Sequence, residues 1–541
     1  MYIKRDGLND VKKIVLRNIS KNGYTEGQFF DERLDPHVDQ LDEAVAFVRN
    51  WMMLNDDETI TIVGDYDVDG IVSTDILYEA LKKTNRTPVT RLPRRFSEGY
   101  GLSEKIIDEI SEGLLITVDN GIAALPAIKK AKAKGLSVIV IDHHLPVIGD
   151  DGKIILPPAD VILDPHVYPE KSEFVDYCGA GLAYRFAKKL LPNLKLIELL
   201  NLASLGTVAD VMPLYGANRQ MVIKGLEALN KNKVIPGLNA LINKLGFDGH
   251  QTEMDYGFKL GPIFNASGRL YDNGAERVLR LLKLDRDDPK LMFKVNNAIN
   301  TNEQRKEIAK NDTARVYDTL DGTRPIVVYD ENIGEGIIGL VAGRLTEDFY
   351  CPSIVFTKTE KVAEDGDIII KGSGRSIPEI HLKNVLDKIK DKIEGYGGHA
   401  GAAGLSIRLS RLDEFKQAFI EACGEIPELS TDVYYDIEIE PEEIPEVVEQ
   451  LNRFAPYGEG NPRISVRMRI DVSDYEYRVI GDGTHFMLKN EDANLTIMGF
   501  GMVTAYEKAE KPTKLDCIGY MSEHWYNKKM SYKFELVSFS E

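Results

Sequence analysis

The sequence predicts an α/β protein in three parts: a helix-flanked parallel sheet, a smaller α/β unit reached through a long helix, and a C-terminal β-barrel. Three observations predict it. Four apolar, β-branched runs recur with helical intervals, and each ends abruptly in polar groups. A polar helical run from about residue 290 to 320 lacks a continuous apolar stripe, which suits a connecting helix. After about residue 430 the pattern changes to short alternating strands (YYDIEIE, ISVRMRI, LTIMGF, KFELVSF) with aromatics and turns between them.

Taken in order, residues 1–55 read as an amphipathic helical segment, with Val45, Ala46, Val48 and Trp51 at helical spacing. Residues 56–230 hold the first α/β unit. Its strand at 59–64 runs into Asp65, Asp67 and Asp69, and Leu114–Val118 runs into Asp119-Asn120-Gly121. Ser137–Ile141 leads to Asp142-His143-His144, and 160–163 leads to Asp164-Pro165. Parallel crossovers bring such strand ends to one edge, where open α/β sheets bind ligands. Residues 231–320 read as helical, with a Gly-rich break at GPIFNASGRL (261–270). A second α/β unit, 321–425, opens at 325–328 and closes at the small-residue stretch 397–404; the β tail is 426–541.

A chain of 541 residues exceeds one hydrophobic core, so three or four domains are expected. No signal-peptide pattern opens the sequence, and no apolar run reaches the roughly 18 residues that span a bilayer. The expectation is a cytoplasmic protein without a membrane partner. The four cysteines lie far apart and form no CxxC, which argues against a zinc knuckle or disulfide scaffold. A net charge of −19 argues against nucleic acid as a partner of the whole surface. A local basic groove beside a carboxylate-rich metal site is compatible with it.

Asp65, Asp67 and Asp69 repel one another, and a fold keeps them together only where cations offset the repulsion. The run matches the opening of a calcium loop, but its twelfth position is Ile76 rather than Glu and a strand precedes it. A solvated acidic turn is the plain alternative. Asp142-His143-His144 at a strand end adds imidazoles, and a mixed carboxylate–imidazole set suits Mn²⁺ or Mg²⁺. With Asp119 the oxygens suffice for two ions, which can activate water and neutralise charge on a phosphoryl group. Asp210, alone among apolar neighbours, reads as a helix cap or a buried hydrogen-bond partner. The stretch 397–404 either permits close helix packing or cradles a phosphate on its amides with His399 as donor. Arg94, Arg95, Arg269 and Arg375 sit near Gly or Ser, which suits phosphate binding; any one alone reads first as a solvated surface arginine.

In order along about 60 to 405, GDYDVDG, VDNG, IDHH, LGTVADVMPL, NASGR, KGSGRS and GGHAGAAG resemble the DHH phosphoesterase superfamily. The similarity is greatest to its single-strand-specific 5′→3′ DNA exonuclease branch, which acts in DNA recombination and repair. The resemblance implies DHH and DHHA1 domains, and PYGEGNP (456–462) resembles the start of that branch's OB-fold. It implies one metal ion on Asp67, Asp119, His143 and Asp210, and a second on Asp65 and Asp69 with Asp119 bridging. His144 would contact the scissile phosphate, and Asp142 would orient the imidazoles. Arg95, Arg269, Ser373 and Arg375 would bind the terminal 5′-phosphate. A monomer acting on single-stranded DNA, beside a helicase and a single-strand-binding protein, is the implied setting. Thr61 stands where other branches carry a His, Ile263 replaces an expected arginine, and Ile333-Gly334 replace a Trp-His pair. A DHH hydrolase of oligonucleotides or cyclic dinucleotides and a non-catalytic replication scaffold remain as alternatives at this point.

Overall fold

The computed structural model describes the chain apart from residues 150, 248–249, 429, 431, 510–511, 527–528 and 541. The first segment opens with a strand, which corrects the all-helical expectation: β1 (Tyr2–Lys4) pairs in parallel with Val433–Tyr435. No local pattern encodes that pairing, because the partner lies in the far tail. Helices α1 (Val11–Lys21) and α2 (Leu41–Leu54) follow. In α2 the buried stripe is Leu41, Ala44, Val45, Val48 and Trp51, whereas Ala46 faces solvent.

The first sheet consists of β2 (Ile60–Val63), β3 (Val89–Arg91), β4 (Leu114–Val118), β5 (Ser137–Ile141) and β6 (Val161–Leu163). It is wholly parallel in the order β3-β2-β4-β5-β6. Apolar side chains meet helices on both faces, Ile62 and Ile116 on one and Val63 and Leu115 on the other. That two-sided burial is why these strands read as unbroken apolar runs. The short edge strand β3, with Thr90 and Arg91, gave no such signal. Crossover helices include α3 (Val68–Lys82) and α4 (Leu125–Ala133).

A helical layer follows with α5 (Gly179–Leu190), α6 (Ile197–Ala209) and α7 (Gly216–Asn230). The segment GPIFNASGRL is a helix, α8 (Gly261–Leu270), rather than a break. Pro262 sits in its first turn, where no amide is required. Gly268 serves close packing, since a Cβ there would lie 3.3 Å from the Tyr66 carbonyl. α9 (Leu291–Tyr317) has 27 residues, so it is about 40 Å long.

The second unit contains β7 (Ile326–Tyr329), α10 (Ile338–Phe349), β8 (Ser353–Val362), β9 (Ile368–Arg375), β10 (Gly395–Gly398), β11 (Ala402–Arg408) and α11 (Leu412–Cys423). Its mixed sheet runs β10-β11-β9-β8-β7, with only β7 and β8 parallel. The stretch 397–404 is a hairpin with Gly397 opposite Gly404, so the helix-packing reading is corrected.

The tail forms a mixed seven-stranded sheet between Ile437 and Ser540. Helix α12 (Ile444–Phe454) and the hairpin of Glu476–Ile480 with His485–Asn490 were not foreseen from the alternating pattern. YYDIEIE splits at Asp436, whose buried carboxylate accepts from the Ser465 amide and hydroxyl and pairs with Arg17. One apolar core runs from the first sheet and its helices into α12 and the tail sheet.

Candidate metal centre

Strand order sets the site. β2, β4 and β5 are neighbours, so Asp65 to Asp69, Asp119 and Asp142 to His144 leave one edge of the sheet together. Asp67 is the N-cap of α3, accepting the Gly70 amide at 3.1 Å. Asp69, in the first turn of α3, reaches the start of α5 and accepts the amides of Gly179 at 2.6 Å and Ala180 at 3.0 Å. A helix N-terminus favours such a carboxylate. Only glycine fits at 179, where a Cβ would lie 2.6 Å from that of Asp119 and 2.9 Å from Asp69 Oδ2.

Asp65 Oδ1 accepts the Gly101 amide at 3.1 Å, while its Oδ2 is buried without a hydrogen-bond partner. Asp119 has a left-handed backbone, φ 60°. Its Oδ1 lies 3.1 Å from His143 Nε2, which is 3.7 Å from Asp210 Oδ2 and 3.9 Å from Asp69 Oδ2. Asp210 caps the C-terminus of α6, so the capping reading and the cluster are both realised. Three sets, Asp65–Asp67–Asp119, Asp69–His143–Asp210 and Asp119–His143–His144, each place their ligand atoms within 4.8 Å of one another. Shared members join them into one cluster of seven side chains. The grouping differs from the one the resemblance implied: Asp67 sides with Asp65, and Asp69 with His143 and Asp210. The α5 amides hold Asp69 on that side.

The electrostatics fit a cation site. Burial first, then the other aspartates, push Asp65 and Asp119 well above the usual carboxylate range, and Asp67 upward. Asp210 is lifted to about 8 for the same reasons. Burial lowers His143, keeping it neutral and ready to ligate. His144 differs. Burial opposes its charge, but Asp142 Oδ1 lies 2.8 Å from its Nδ1 and lifts it to about 9. Asp142, though buried, is held low by the same pairing and also accepts the Ile122 amide at 2.9 Å. Tyr100, which sequence reasoning passed over, places its hydroxyl 3.0 Å from His144 Nε2 and donates to the Asp119 carbonyl at 3.2 Å.

One aromatic ring away lies a second cluster, of guanidiniums. Arg95 stacks 4.7 Å from the centroid of Tyr66, the residue between Asp65 and Asp67. Arg269, in the last turn of α8, donates to the Gly336 carbonyl at 3.2 Å. Burial and then the positive charges of Arg95, Arg305 and Arg375 lower it to about 10. Arg375 on β9 donates to Ser373 Oγ at 3.2 Å and the Gly374 carbonyl at 2.7 Å. Arg305 was missed because α9 reads as a polar connector. It continues the buried stripe Val295, Ala298, Thr301 and Asn302, which was the available signal. Its Nε is buried without a hydrogen-bond partner. His399 is exposed in the β10–β11 turn, its Nδ1 accepting from the Gly401 amide at 3.3 Å. Ile263 and Ile333 are buried in apolar clusters.

Family models match three stretches: the DHH family N-terminal domain at 59–207, the DHHA1 domain at 322–425 and the RecJ OB domain at 435–538. Single-stranded-DNA-specific exonuclease RecJ of Dickeya dadantii is 34% identical over 481 residues, covering 82% of this chain and 80% of that protein. Its Escherichia coli counterpart is 33% identical, covering 78% and 76%. The crystal structure of Thermus thermophilus RecJ in complex with Mn²⁺ covers all of this chain and 79% of its own, with TM-score 0.78 and 25% identity. A structure of exonuclease RecJ bound to manganese covers 73% of this chain and 97% of its own, with TM-score 0.61 and 28% identity. The motif order, the three matched domains and one-third identity along most of the sequence agree: this chain belongs to the RecJ family of DHH phosphoesterases.

Proposed function

We propose that the protein is a metal-dependent exonuclease that hydrolyses single-stranded DNA from the 5′ end to mononucleotides. One observation carries the reading: four guanidiniums, charged against one another, gather where one of them, Arg95, packs on the ring of Tyr66 beside a cluster of buried carboxylates and imidazoles. Asp65, Asp67 and Asp119 would hold one divalent ion, Mn²⁺ or Mg²⁺, and Asp119, His143 and Asp210, with Asp69, a second. The partnerless Asp65 oxygen and the raised carboxyls fit that occupancy. Bound there, the ions supply water activation and neutralisation of charge at a phosphoryl group.

The chain's own groups do the rest. His144, charged at neutral pH and fixed by Asp142, donates to an oxygen of the scissile phosphate. The Tyr100 hydroxyl lies 3.0 Å from the other ring nitrogen, Nε2. Arg95, Arg269, Arg305 and Arg375, with Ser373, grip the terminal phosphate. That group is doubly charged near neutral pH, unlike an internal diester, and guanidinium forks bind it through paired hydrogen bonds. Fixing the strand end beside the metal cluster limits each cut to one nucleotide. The protein acts as a cytoplasmic monomer on strands that a helicase opens and a single-strand-binding protein covers. Strands labelled at the 5′ or the 3′ end, with a duplex control, test the reading. Labelled mononucleotide should appear at once from the 5′ label only, and early release from the 3′ label would overturn it.

A further inference from the structure

Behind α8, on the face turned away from Arg269, lies a small cavity of about 220 Å³. Asn265 and Arg269 line the cleft in front of that helix, whereas Ser267, about half a turn from each, lines the cavity behind it. The second wall is the helix Gly274–Leu282, which starts hard against α8: a Cβ at Gly274 would lie 1.9 Å from the Ser267 carbonyl oxygen. That contact places Arg277 beside the cavity, and α9 closes it with Lys294, Asn297 and Thr301. Each of these five side chains can donate a hydrogen bond, and none is engaged. Arg277 stacks 4.0 Å from the centroid of Tyr271 but has no carboxylate partner. Ser267, Lys294, Asn297 and Thr301 make no side-chain hydrogen bond or ion pair among the described residues. Helical Ser and Thr hydroxyls can bond back to the preceding turn, as Thr313 of α9 does to the Ala309 carbonyl at 2.7 Å. Ser267 and Thr301, only 4% and 8% exposed, leave their hydroxyls free instead. Among the described residues no acid lines the cavity.

We propose that this cavity is a second anion site, one that takes a phosphoryl group and is separate from the cleft that Arg269 faces. Two unpaired cations with hydroxyl and amide donors between them match a tetrahedral set of charged oxygens. The volume is below the roughly 300 Å³ at which pockets for drug-sized ligands begin. It therefore holds inorganic phosphate, or the phosphoryl end of a deoxynucleoside 5′-monophosphate with the sugar and base left outside. Thr301 stands one turn before Arg305, and Ser267 two residues before Arg269. An anion here offsets, from behind, part of the repulsion among those guanidiniums. The site goes beyond the exonuclease reading and stands without it.

The test is equilibrium dialysis of radiolabelled inorganic phosphate against the Mg²⁺-loaded full chain. A 5′-phosphorylated single strand with hydrolysis-resistant phosphorothioate linkages first saturates the arginine cluster. One phosphate per chain should still bind. Lys294→Ala and Arg277→Ala should each weaken it roughly ten- to a hundredfold, the loss of one charge-assisted contact. Lys306→Ala, which removes a cation of α9 that pairs with Glu303 outside the cavity, should leave it unchanged. Unlabelled deoxynucleoside 5′-monophosphate separates the two sources: displacement of the label supports the site as one for the product, and no displacement supports it as one for inorganic phosphate. No bound label beyond the strand-filled cluster overturns the site, and so does equal weakening by Lys294→Ala and Lys306→Ala. A label that further strand displaces lies on the path of the DNA and overturns it as well. Strand binding is read separately by fluorescence anisotropy. A chain that holds phosphate in a Lys294-dependent way but binds no strand keeps the site and sinks the exonuclease reading; strand binding without that phosphate does the reverse.

Discussion

Asp119 touches more of the centre than any single ion needs: it shares one ligand set with Asp65 and Asp67 and another with His143 and His144. Asp119→Ala should therefore lower kcat at saturating Mn²⁺ by more than roughly a hundredfold, since even supporting groups around a metal commonly cost that much. Steady-state kinetics with a circular-dichroism control checks it, and activity within tenfold of wild type would contradict it. The raised carboxyls add a sign. Asp210, lifted to about 8, holds its proton near neutral pH without metal and must shed it to ligate, and burial with the neighbouring aspartates raises Asp119 in the same direction. Binding of Mn²⁺ at pH 7 should release protons and weaken as pH falls, which calorimetry in buffers of different ionisation enthalpy measures directly. Arg375 serves the opposite pole. Losing one charge-assisted contact of about 1.5–3 kcal/mol predicts a roughly ten- to hundredfold drop in kcat/KM. For Arg375→Ala that drop should fall on 5′-phosphorylated strands and spare 5′-hydroxyl strands. Equal losses on both would make Arg375 a general backbone contact.

Elements show which parts of this arrangement a sequence can disclose. β4 and β5 begin and end where their mainly apolar runs do, because burial on both faces favours apolar side chains; Thr117 is the buried exception in β4. Asp65 to Asp69, Asp119 and Asp142 to His144 were legible for the same reason, standing where each run stops, whereas Asp210 entered the set only through the resemblance. Elements that answer to distant partners were not legible. α8 looked broken because Gly268 makes room for the Tyr66 carbonyl and Pro262 sits in the first turn, and β1 draws its partner from the tail. Arg305 stayed hidden because its meaning lies in the arginines that α9 faces. α3 carries one more buried acid, Asp75, with both oxygens lacking hydrogen-bond partners. Burial and then Glu79 raise it to about 8 against the pull of Lys283. The folded form then keeps a proton that the unfolded form loses near pH 4, so stability declines as pH rises from about 4 to 8. Asp75→Asn should remove that decline. Its melting temperature should exceed wild type by a few degrees at pH 8, roughly what one kcal/mol gives, and by less at pH 5. A gap that is constant with pH would contradict the assignment.

At the scale of the whole molecule, the tail is built into the catalytic half rather than tethered to it. Its loop at 455–461 lies against the segment that follows Asp210: the Leu214 amide donates to the Glu459 carbonyl at 2.8 Å. Arg219 of α7 donates to the Ala455 carbonyl at 2.7 Å, and the Tyr457 amide donates to Glu253 at 3.2 Å. β1 joins Val433–Tyr435, and a single apolar core unites the first sheet, its helices, α12 and the tail strands. The second α/β unit keeps its own clusters on the two faces of its sheet, so its core is separate. Cooperativity follows buried apolar contact, so the chain should melt as two units that do not follow the three sequence-matched domains. In one, residues of the first sheet and the tail unfold together; in the other, the second α/β unit unfolds alone. The carboxylates proposed to hold Mn²⁺ all lie in the first unit, so the ion should raise that transition and leave the other in place. Scanning calorimetry with and without Mn²⁺ distinguishes the cases, and hydrogen exchange assigns each transition. Tail strands that lose protection at a lower temperature than β2, β4 and β5, or that ignore Mn²⁺, would show a tethered module instead. If they exchange with the first sheet, removing 430–541 should cost metal affinity as well as DNA affinity, because the loop bracing the Asp210 segment leaves with the tail.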